Sequence, residues 1–297
     1  MAEKYFGAVE LGGTKTIALI AKDHKTILAR KRFPTLSPGE TIAQIKSFFL
    51  ENPVTGSHLA AVGVGSFGPL DLNPDSDTFG FVTTTPKAGW QFYDLKSEIE
   101  SGLQCAVSLD TDVNAAALGE YRFRDNPVLN NLAYITIGTG IGGGFIVNGN
   151  LIHGLLHPEF GHLYIPHDSQ EDPFTGICPY HQDCFEGLAS GPALNARWGQ
   201  LPKLLPPDHT GWDLESEYIS LALVNLVCTL SPEVIILGGG VMHQTQLYQK
   251  VRLKLQRRIN KYIQSRSLDD HLGQYIIPPK LGESSGILGA LSLAMDS

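Results

Sequence analysis

The chain has 297 residues, of which 42% are hydrophobic and 18% are charged, and its formal net charge is -8. This length predicts one large or two medium domains with a core of normal size, and the composition excludes an intrinsically disordered chain. The negative charge argues against a general nucleic-acid-binding protein, because such proteins need a basic surface.

Other bulk features indicate the compartment. The N-terminal stretch has no long apolar core and no small-residue cleavage pattern, and no apolar run is long enough to cross a bilayer. The four cysteines are unevenly spaced and do not form a disulfide framework. We therefore expect a soluble cytoplasmic protein with reduced thiols and no membrane partner.

The first half of the chain has the pattern of an α/β unit. Residues 5–33 predict three strands, because their apolar β-branched runs are interrupted by Gly12-Gly13 and by residues 23–25. The elements predicted next alternate as helix, strand, helix, strand and helix; they cover residues 37–52, 59–66, 94–103, 105–110 and 112–123.

A similar order returns in the second half. Residues 132–154 again predict strand, glycine-rich turn, strand and hairpin. Further on, the pattern predicts the strand 233–240, the basic helix 247–264, the strand 274–279 and the final helix 284–295. We therefore predict two α/β domains of similar topology: residues 1–118, to which the C-terminal helix 284–297 returns, and residues 119–283, with a long loop at 157–184.

The glycine-rich stretch "GTGIGGG" contains G-x-G-x-x-G at Gly138, Gly140 and Gly143. A dinucleotide site would need a helix directly after these glycines, but strand residues follow. A tight hairpin is the alternative explanation. The number of glycines exceeds what a hairpin needs, and glycines let backbone N–H groups approach a phosphate. We therefore predict that Gly138, Thr139 and Gly140 bind phosphate.

The stretch "ELGGTK" places Gly12, Gly13, Thr14 and Lys15 in the same corner of the first half. Two matching corners predict two loops that grip one polyphosphate, although each alone could be a plain turn. The chain has no P-loop motif. A third glycine run, Gly238 to Gly240, follows an apolar strand and could receive the ribose and base of a nucleotide.

Asp112 follows a predicted strand and opens a predicted helix. It could be a simple helix N-cap. A carboxylate at the C-terminal end of a strand in an α/β sheet also lies where ligands bind, and it can accept a proton from a substrate hydroxyl. Phosphoryl transfer to an alcohol requires that acid–base step.

Six motifs in order along nearly the whole chain resemble the ROK family of sugar kinases, in its bacterial ATP-dependent fructokinase branch; they read "ELGGTK", "TDVNAAALGE", "TIGTGIGGG", "HPEFGH", "CPYHQDCFEGLASGP" and "ILGGGV". The resemblance implies an actin-like ATPase (ribonuclease H-like) fold, in which two α/β domains with a cleft between them close over a sugar and Mg-ATP. It also implies a homodimer. Glu10, Thr111 and the stretch "TTTPKAGW" depart from the general family pattern, and these departures agree with the fructokinase branch.

The activity that the resemblance implies is transfer of the ATP γ-phosphoryl group to the 6-hydroxyl of fructose. Asp112 would be the general base, and Glu10 would lie near Mg²⁺ or bind it through water. Two alternatives stay open: a kinase for another hexose such as mannose, glucose or an N-acetylhexosamine, and a non-catalytic sugar sensor. Repressors of the family carry an added N-terminal helix-turn-helix, whereas the first strand here is predicted to start at about Tyr5.

The stretch "CPYHQDC" supplies Cys178, His181 and Cys184 as metal ligands within one short loop. Two free thiols beside a surface histidine are the alternative. A structural zinc ion needs a fourth ligand, and the spacing alone cannot choose among four upstream histidines, which are His153, His157, His162 and His167. The resemblance selects His162, and a closed four-ligand site implies a structural ion.

The remaining site residues are given by the resemblance and by position. The predicted sugar contacts are Gly68, Pro69, Trp90, Thr111, Asp112, Glu159 and His162, where Trp90 could equally be a core residue. The predicted ATP contacts beyond the two corners are Ala189, Gly191, Pro192, Gly238, Gly239, Gly240, Val241 and Met242.

Overall fold

The computed structural model describes residues 4–52, 59–123 and 129–297. The chain divides into two compact units. Unit 1 comprises Met1–Pro127, Leu151–Pro158 and Lys280–Ser297, and unit 2 comprises Val128–Asn150 and Glu159–Pro279. Each unit contains one five-stranded sheet with helices, so the prediction of a mixed α/β protein with two sheets is confirmed.

The strands are β1 Tyr5–Leu11, β2 Lys15–Ala21, β3 Ile27–Pro34, β4 Leu59–Ser66, β5 Phe81–Val82, β6 Tyr93–Asp94, β7 Ala106–Thr111, β8 Leu132–Ile137, β9 Ile141–Val147, β10 Asn150–Leu151, β11 Val234–Gly238 and β12 Ile276–Ile277. The α-helices are α1 Pro38–Leu50, α2 Leu95–Leu103, α3 Asp112–Phe123, α4 Phe185–Ala189, α5 Gly191–Trp198, α6 Gly211–Leu230, α7 Gln246–Ile259, α8 Arg266–Asp269, α9 Leu272–Tyr275 and α10 Ser285–Met295.

The sheet of unit 1 has the order β3-β2-β1-β4-β7. β1 and β2 form an antiparallel hairpin, whereas β1, β4 and β7 run parallel. The register aligns Leu11 with Ser66 and Ser66 with Thr111. The loops that follow these three strands therefore leave the sheet at one edge, which is where an α/β sheet binds its ligands.

Helix α10 packs closely on α3 because glycines line the contact. A methyl group on Gly289 would lie 1.6 Å from the carbonyl oxygen of Ala115, so only glycine fits there. The buried carboxylate of Glu120 accepts hydrogen bonds from the backbone N–H of Leu281 (2.8 Å) and from the hydroxyl of Ser285 (2.8 Å). These bonds fix the start of α10 against the helix that begins with Asp112.

The sheet of unit 2 has the order β10-β9-β8-β11-β12, in which a hairpin is again followed by parallel strands. The two units thus share their topology, as the repeated sequence pattern predicted. Helix α7 and strand β12 differ most from their predicted bounds. α7 ends at Ile259 because Asn260 adopts a left-handed conformation with φ 48°, and β12 keeps only two residues because α9 takes up Tyr275.

Among the residues that the structure describes, no helix has the length and apolar character needed to cross a membrane.

Candidate active site and metal centre

Two carboxylates lie at the ligand-binding edge of the unit 1 sheet. Asp112 is the first residue of α3, directly after β7. Burial raises the pKa of Asp112 to about 6, and backbone N–H groups at Val113 and at Asp112 itself partly oppose the shift. Thr111 provides the helix cap, because its hydroxyl oxygen accepts the N–H of Asn114 at 3.1 Å. The side chain of Asp112 is therefore not needed for that purpose.

Glu10 lies near the end of β1, in register with Gly65 on β4. Burial raises the pKa of Glu10 to about 7; the charge of Lys15 lowers it and the charge of Asp112 raises it. Its Oε2 atom is buried and has no hydrogen-bond partner among the described residues. A buried carboxylate oxygen without a partner suits a hard cation such as Mg²⁺, which prefers oxygen ligands.

The first glycine corner joins β1 to β2. Its turn is closed by a hydrogen bond from the N–H of Gly12 to the carbonyl of Lys15 (3.0 Å), and Gly13 and Thr14 are exposed. Two side chains from elsewhere in unit 1 hold the backbone of the corner. Thr35 donates its hydroxyl to the carbonyl of Gly12 (2.7 Å), and Lys87 donates its ammonium group to the carbonyl of Gly13 (2.6 Å).

Lys87 was not among the predicted site residues, although it lies in the predicted stretch "TTTPKAGW". Its ammonium group also lies 3.4 Å from the carbonyl oxygen of Thr35. Nothing in the local sequence links Lys87 to a turn 74 positions away. Only the folded chain shows this cation beside the candidate phosphate loop.

Gly68 and Pro69 follow β4, and His157 holds the backbone next to them. The ring Nε2 of His157 accepts the N–H of Leu70 at 3.0 Å, and a methyl group on Gly68 would lie 3.3 Å from that ring. Burial lowers the pKa of His157, which favours the neutral ring that can accept this bond. His157 is therefore committed to unit 1 and does not join the cysteines.

Trp90 requires a correction. Its side chain is 0% exposed, its indole N–H donates to the carbonyl of Leu36 (3.0 Å), and its ring packs edge-on against Phe67 and Tyr93. A ring without an exposed face cannot stack on a sugar. Of the two roles left open by the sequence, burial supports the core role.

In unit 2, three of the predicted nucleotide segments come together at glycines. The N–H of Gly191, at the start of α5, donates to the carbonyl of Gly138 at 2.7 Å. A methyl group on Gly138 would lie 3.6 Å from the backbone nitrogen of Gly240. Gly239 has φ +90°, and a methyl group there would lie 2.3 Å from the carbonyl oxygen of Ile137. The contact at Gly239 leaves no space for a side chain, and the backbones of the three segments lie close together around Gly138.

The neighbours of these glycines have clear structural roles. The side chains of Ala189, Val241 and Met242 are buried, so a nucleotide would meet their backbone rather than their side chains. Pro192 follows Gly191 in the first turn of α5, which is capped by the hydroxyl of Ser190 accepting the N–H of Ala193.

Glu186 is a second residue that the sequence reasoning missed. Its Oε2 accepts the N–H of Ile141 at 2.8 Å, and a methyl group on Gly140 would lie 2.7 Å from the same oxygen. The motif "CFEGLASGP" contained Glu186, but only the fold brings it from α4 to the glycine corner. Gly140 is therefore required for the close approach of this carboxylate.

The four predicted metal ligands His162, Cys178, His181 and Cys184 form one cluster, in which the possible ligand atoms all lie within 4.8 Å of one another. Nδ1 of His162 is 3.7 Å from Sγ of Cys178 and 3.5 Å from Sγ of Cys184, and Nδ1 of His181 is 3.7 Å from Sγ of Cys178. Tetrahedral zinc with two sulfur and two nitrogen ligands places such atoms about 3.3–3.8 Å apart. The donor set and its spacing therefore fit a structural zinc ion.

The other candidate histidines are engaged elsewhere. His153 contacts Asp110 at 2.9 Å. His167 contacts Asp183 through Nδ1 (3.2 Å) and the carbonyl of Asp172 through Nε2 (2.9 Å). Of the four candidate histidines, all of which the structure describes, His162 is thus the one that contacts the two cysteines.

The long loop that carries the cysteines is anchored to the helices of unit 2. The buried carboxylate of Asp172 accepts hydrogen bonds from Arg197 on α5 (3.1 Å) and from the hydroxyl of Tyr218 on α6 (2.5 Å). Glu159 and His162 belong to the same stretch of chain, with Glu159 exposed before the 3-10 helix Phe160–His162. The anchored loop thus places Cys178 and Cys184 beside His162, the last residue of "HPEFGH".

Comparisons with known proteins give the family. The ROK family model matches residues 6–297. A putative fructokinase of Bacillus subtilis is 45% identical, with 97% of this chain and 94% of that protein covered. A fructokinase of Lactococcus lactis subsp. cremoris is 43% identical, with coverage of 98% and 97%.

The solved structures include a ROK family glucokinase from Streptomyces griseus in complex with glucose and AMPPNP, at a TM-score of 0.77 and 24% identity, with 99% and 100% of the two chains covered. This likeness confirms the actin-like ATPase fold. The family model and the fructokinase identities show that this chain belongs to the ROK family.

Proposed function

We propose that this chain is an ATP-dependent fructokinase that transfers the γ-phosphoryl group of ATP to the 6-hydroxyl of fructose. The observation that carries the proposal is the identity of 45% and 43%, over nearly full length, to bacterial fructokinases. The glucokinases among the relatives are less similar, at 28–29% identity. The candidate site supports this proposal, because it combines carboxylates with glycine corners of the kind that can bind phosphate.

In the proposed reaction, Asp112 is the general base. With a pKa of about 6 its carboxylate is mostly ionised at neutral pH, yet basic enough to accept the proton of the sugar hydroxyl. The hydroxyl oxygen forms a bond to the γ-phosphorus while the bond between that phosphorus and the β,γ-bridging oxygen breaks. ADP leaves with the bond's electrons, and the proton stays on Asp112 until solvent removes it.

The glycine corners bind and orient the phosphates. Gly12 and Gly138 shape the two corners, because their N–H groups are bonded to the carbonyls of Lys15 and Gly140. The N–H groups that would donate to phosphate oxygens are those at positions 13, 14, 139 and 140, and the cations of Lys15 and Lys87 add positive charge at the first corner. Glu10 would hold Mg²⁺, directly or through water. When bound, Mg²⁺ neutralises charge that develops on the phosphates.

Zinc has a supporting role in this proposal. His162, Cys178, His181 and Cys184 would bind a structural Zn²⁺ ion that orders the loop and fixes Glu159 and His162 for contact with sugar hydroxyls. Because His162 presents Nδ1 to the thiols, the sugar contact falls to its Nε2. Gly68 and Pro69, beside His157, are the proposed sugar contacts of unit 1, and Thr111 is proposed to contribute beside Asp112.

Two further properties belong to the proposal. The two units are taken as the two domains of the kinase, and the chain is taken to form a homodimer, as the family resemblance implies. Light scattering coupled to size-exclusion chromatography measures the mass of the particle against the 32.2 kDa chain.

The direct test is a coupled assay of ADP formation with Mg-ATP and a panel of fructose, glucose, mannose and N-acetylmannosamine. We expect the highest kcat/KM with fructose, and fructose 6-phosphate as the product by NMR. A higher kcat/KM with another hexose would replace fructose as the substrate. Sugar binding by calorimetry without ATP consumption would instead favour a sugar sensor.

A further inference from the structure

The carboxylate of Asp110 organises the backbone that carries Asp112. Asp110 is 4% exposed and directly precedes Thr111, the residue that caps the helix. Its Oδ1 accepts the backbone N–H of Thr111 at 2.7 Å and the side-chain amide of Asn114, also at 2.7 Å. The residues on both sides of Asp112 are therefore bound to one oxygen of Asp110.

His153 binds the other oxygen. Its Nε2 lies 2.9 Å from Oδ2 of Asp110. Because a carboxylate only accepts hydrogen bonds, this nitrogen must carry the proton. The hydrogen bond to Asp110 also raises the pKa of His153. The amide of Asn114 lies 3.5 Å from the same nitrogen, and since both groups are then donors, this contact is not a hydrogen bond. Asp110 is thus the acceptor shared by both.

The position of His153 in the chain is unusual for a structural residue. It belongs to the segment Leu151–Pro158, which lies in unit 1 although the residues before and after it lie in unit 2. The side chain of His153 is 41% exposed, so it contributes little to the apolar core of unit 1. Its short polar contact is with Asp110, the carboxylate that orders the turn of the proposed base.

We propose that His153 is a positioning residue for Asp112: by donating its Nε2 proton to Asp110, it fixes the turn 110–114 and thereby the direction of the Asp112 carboxylate. The inference rests on the proposed function, because it assumes that Asp112 accepts the proton of a sugar hydroxyl. Without His153, the carboxylate of Asp110 is free to rotate so that Oδ2 meets another donor. The hydrogen bonds that Oδ1 accepts from Thr111 and Asn114 then lengthen or break. A displaced base slows proton transfer but does not affect the binding of ATP.

The test uses the full chain with three variants at steady state, measuring kcat and both KM values. His153→Ala should lower kcat about ten- to a hundredfold and leave the KM for ATP unchanged. His153→Gln, whose amide can donate at the same position, should recover most of that loss. The control is His24→Ala, which removes a histidine that stacks on Phe123 and belongs to none of the proposed sites, and kcat should stay unchanged.

A double-mutant cycle separates positioning from a general structural effect. In an Asp112→Asn background, His153→Ala should cause no further loss, because the group that it positions is already disabled. An equal loss in both backgrounds, no recovery in His153→Gln, or an unchanged kcat in His153→Ala would each overturn the proposal.

If wild-type protein consumes ATP with fructose and only the His153 result is negative, the proposed function stands and this inference fails. If wild-type protein phosphorylates no fructose, the proposed function itself fails.

Discussion

The carboxylate of Glu10 rests against Gly286 in the first turn of α10. A methyl group on Gly286 would lie 2.8 Å from both Cδ and Oε2 of Glu10. Burial raises the pKa of this carboxylate, and the nearby backbone N–H of Ile287, one residue further along the helix, lowers it by less. The C-terminal helix thus determines the environment of the proposed magnesium ligand at the end of β1.

This environment predicts a pH-dependent stability. The pKa of Glu10 is raised from 4.5 to about 7 on folding, so its contribution to stability is fully present below pH 4.5 and is lost as the pH rises through 7. In Mg²⁺-free buffer, Glu10→Gln should therefore be more stable than wild type at pH 8, by about 1–3 kcal/mol, and about equal at pH 4.5. Thermal unfolding at several pH values measures the difference.

Added Mg²⁺ provides the second half of that experiment. A cation bound by ionised Glu10 should raise the Tm of wild type at pH 8 and leave that of Glu10→Gln unchanged. Glu51→Gln, which removes an exposed carboxylate at the end of α1, should respond to Mg²⁺ as wild type does. An equal rise in all three proteins would show that Glu10 is not the magnesium ligand.

The cysteine cluster predicts one zinc ion per chain. Cys184→Ser should abolish most of the bound zinc, lower the Tm and raise the KM for fructose, because the loop that carries Glu159 and His162 is then less ordered. Elemental analysis by mass spectrometry measures the zinc. Cys228→Ser on α6 is the matched control, since Cys228 is a free cysteine outside the cluster, and it should keep full zinc content. Full occupancy in Cys184→Ser would contradict the assignment.

Gly239 should tolerate no side chain. Alanine there combines a φ of +90° with a contact of 2.3 Å to the carbonyl oxygen of Ile137, so we expect a loss of about 1–3 kcal/mol in stability and a higher KM for ATP. Gly273→Ala in α9 is the control. Its added methyl group meets nothing within 4 Å, and alanine favours a helix, so its Tm should be equal or higher. Chemical denaturation compares the two variants, and equal stability would argue against strain at Gly239.

Local patterns in the sequence predicted the elements on which the site is built. The helix predicted at 112–123 has those bounds in the structure, because the end of the preceding strand, a Thr cap and an alanine-rich run all agree there. The glycines of unit 2 were also predicted as one nucleotide site. β8 and β11 are parallel neighbours, so the glycines that follow these two strands lie at the same edge of the sheet.

Other features depend on long-range contacts that leave no local signal. Trp90 reads equally as a sugar platform or a core residue until its burial is known. Lys87 reaches Gly13, and His153 reaches Asp110, across 74 and 43 positions respectively. Such pairs depend on the tertiary fold rather than on periodicity, so sequence patterns could not predict these supporting contacts.

The substitution Asp112→Asn tests the central claim most directly. Asparagine keeps the size of the side chain but cannot accept the hydroxyl proton, so we expect calorimetry to show fructose binding close to wild type and the coupled assay to show a kcat lower by about a hundredfold or more. Asp77→Asn, which changes an exposed carboxylate of unit 1, should keep wild-type turnover. A kcat for Asp112→Asn within a few fold of wild type would contradict the role of Asp112 as the base.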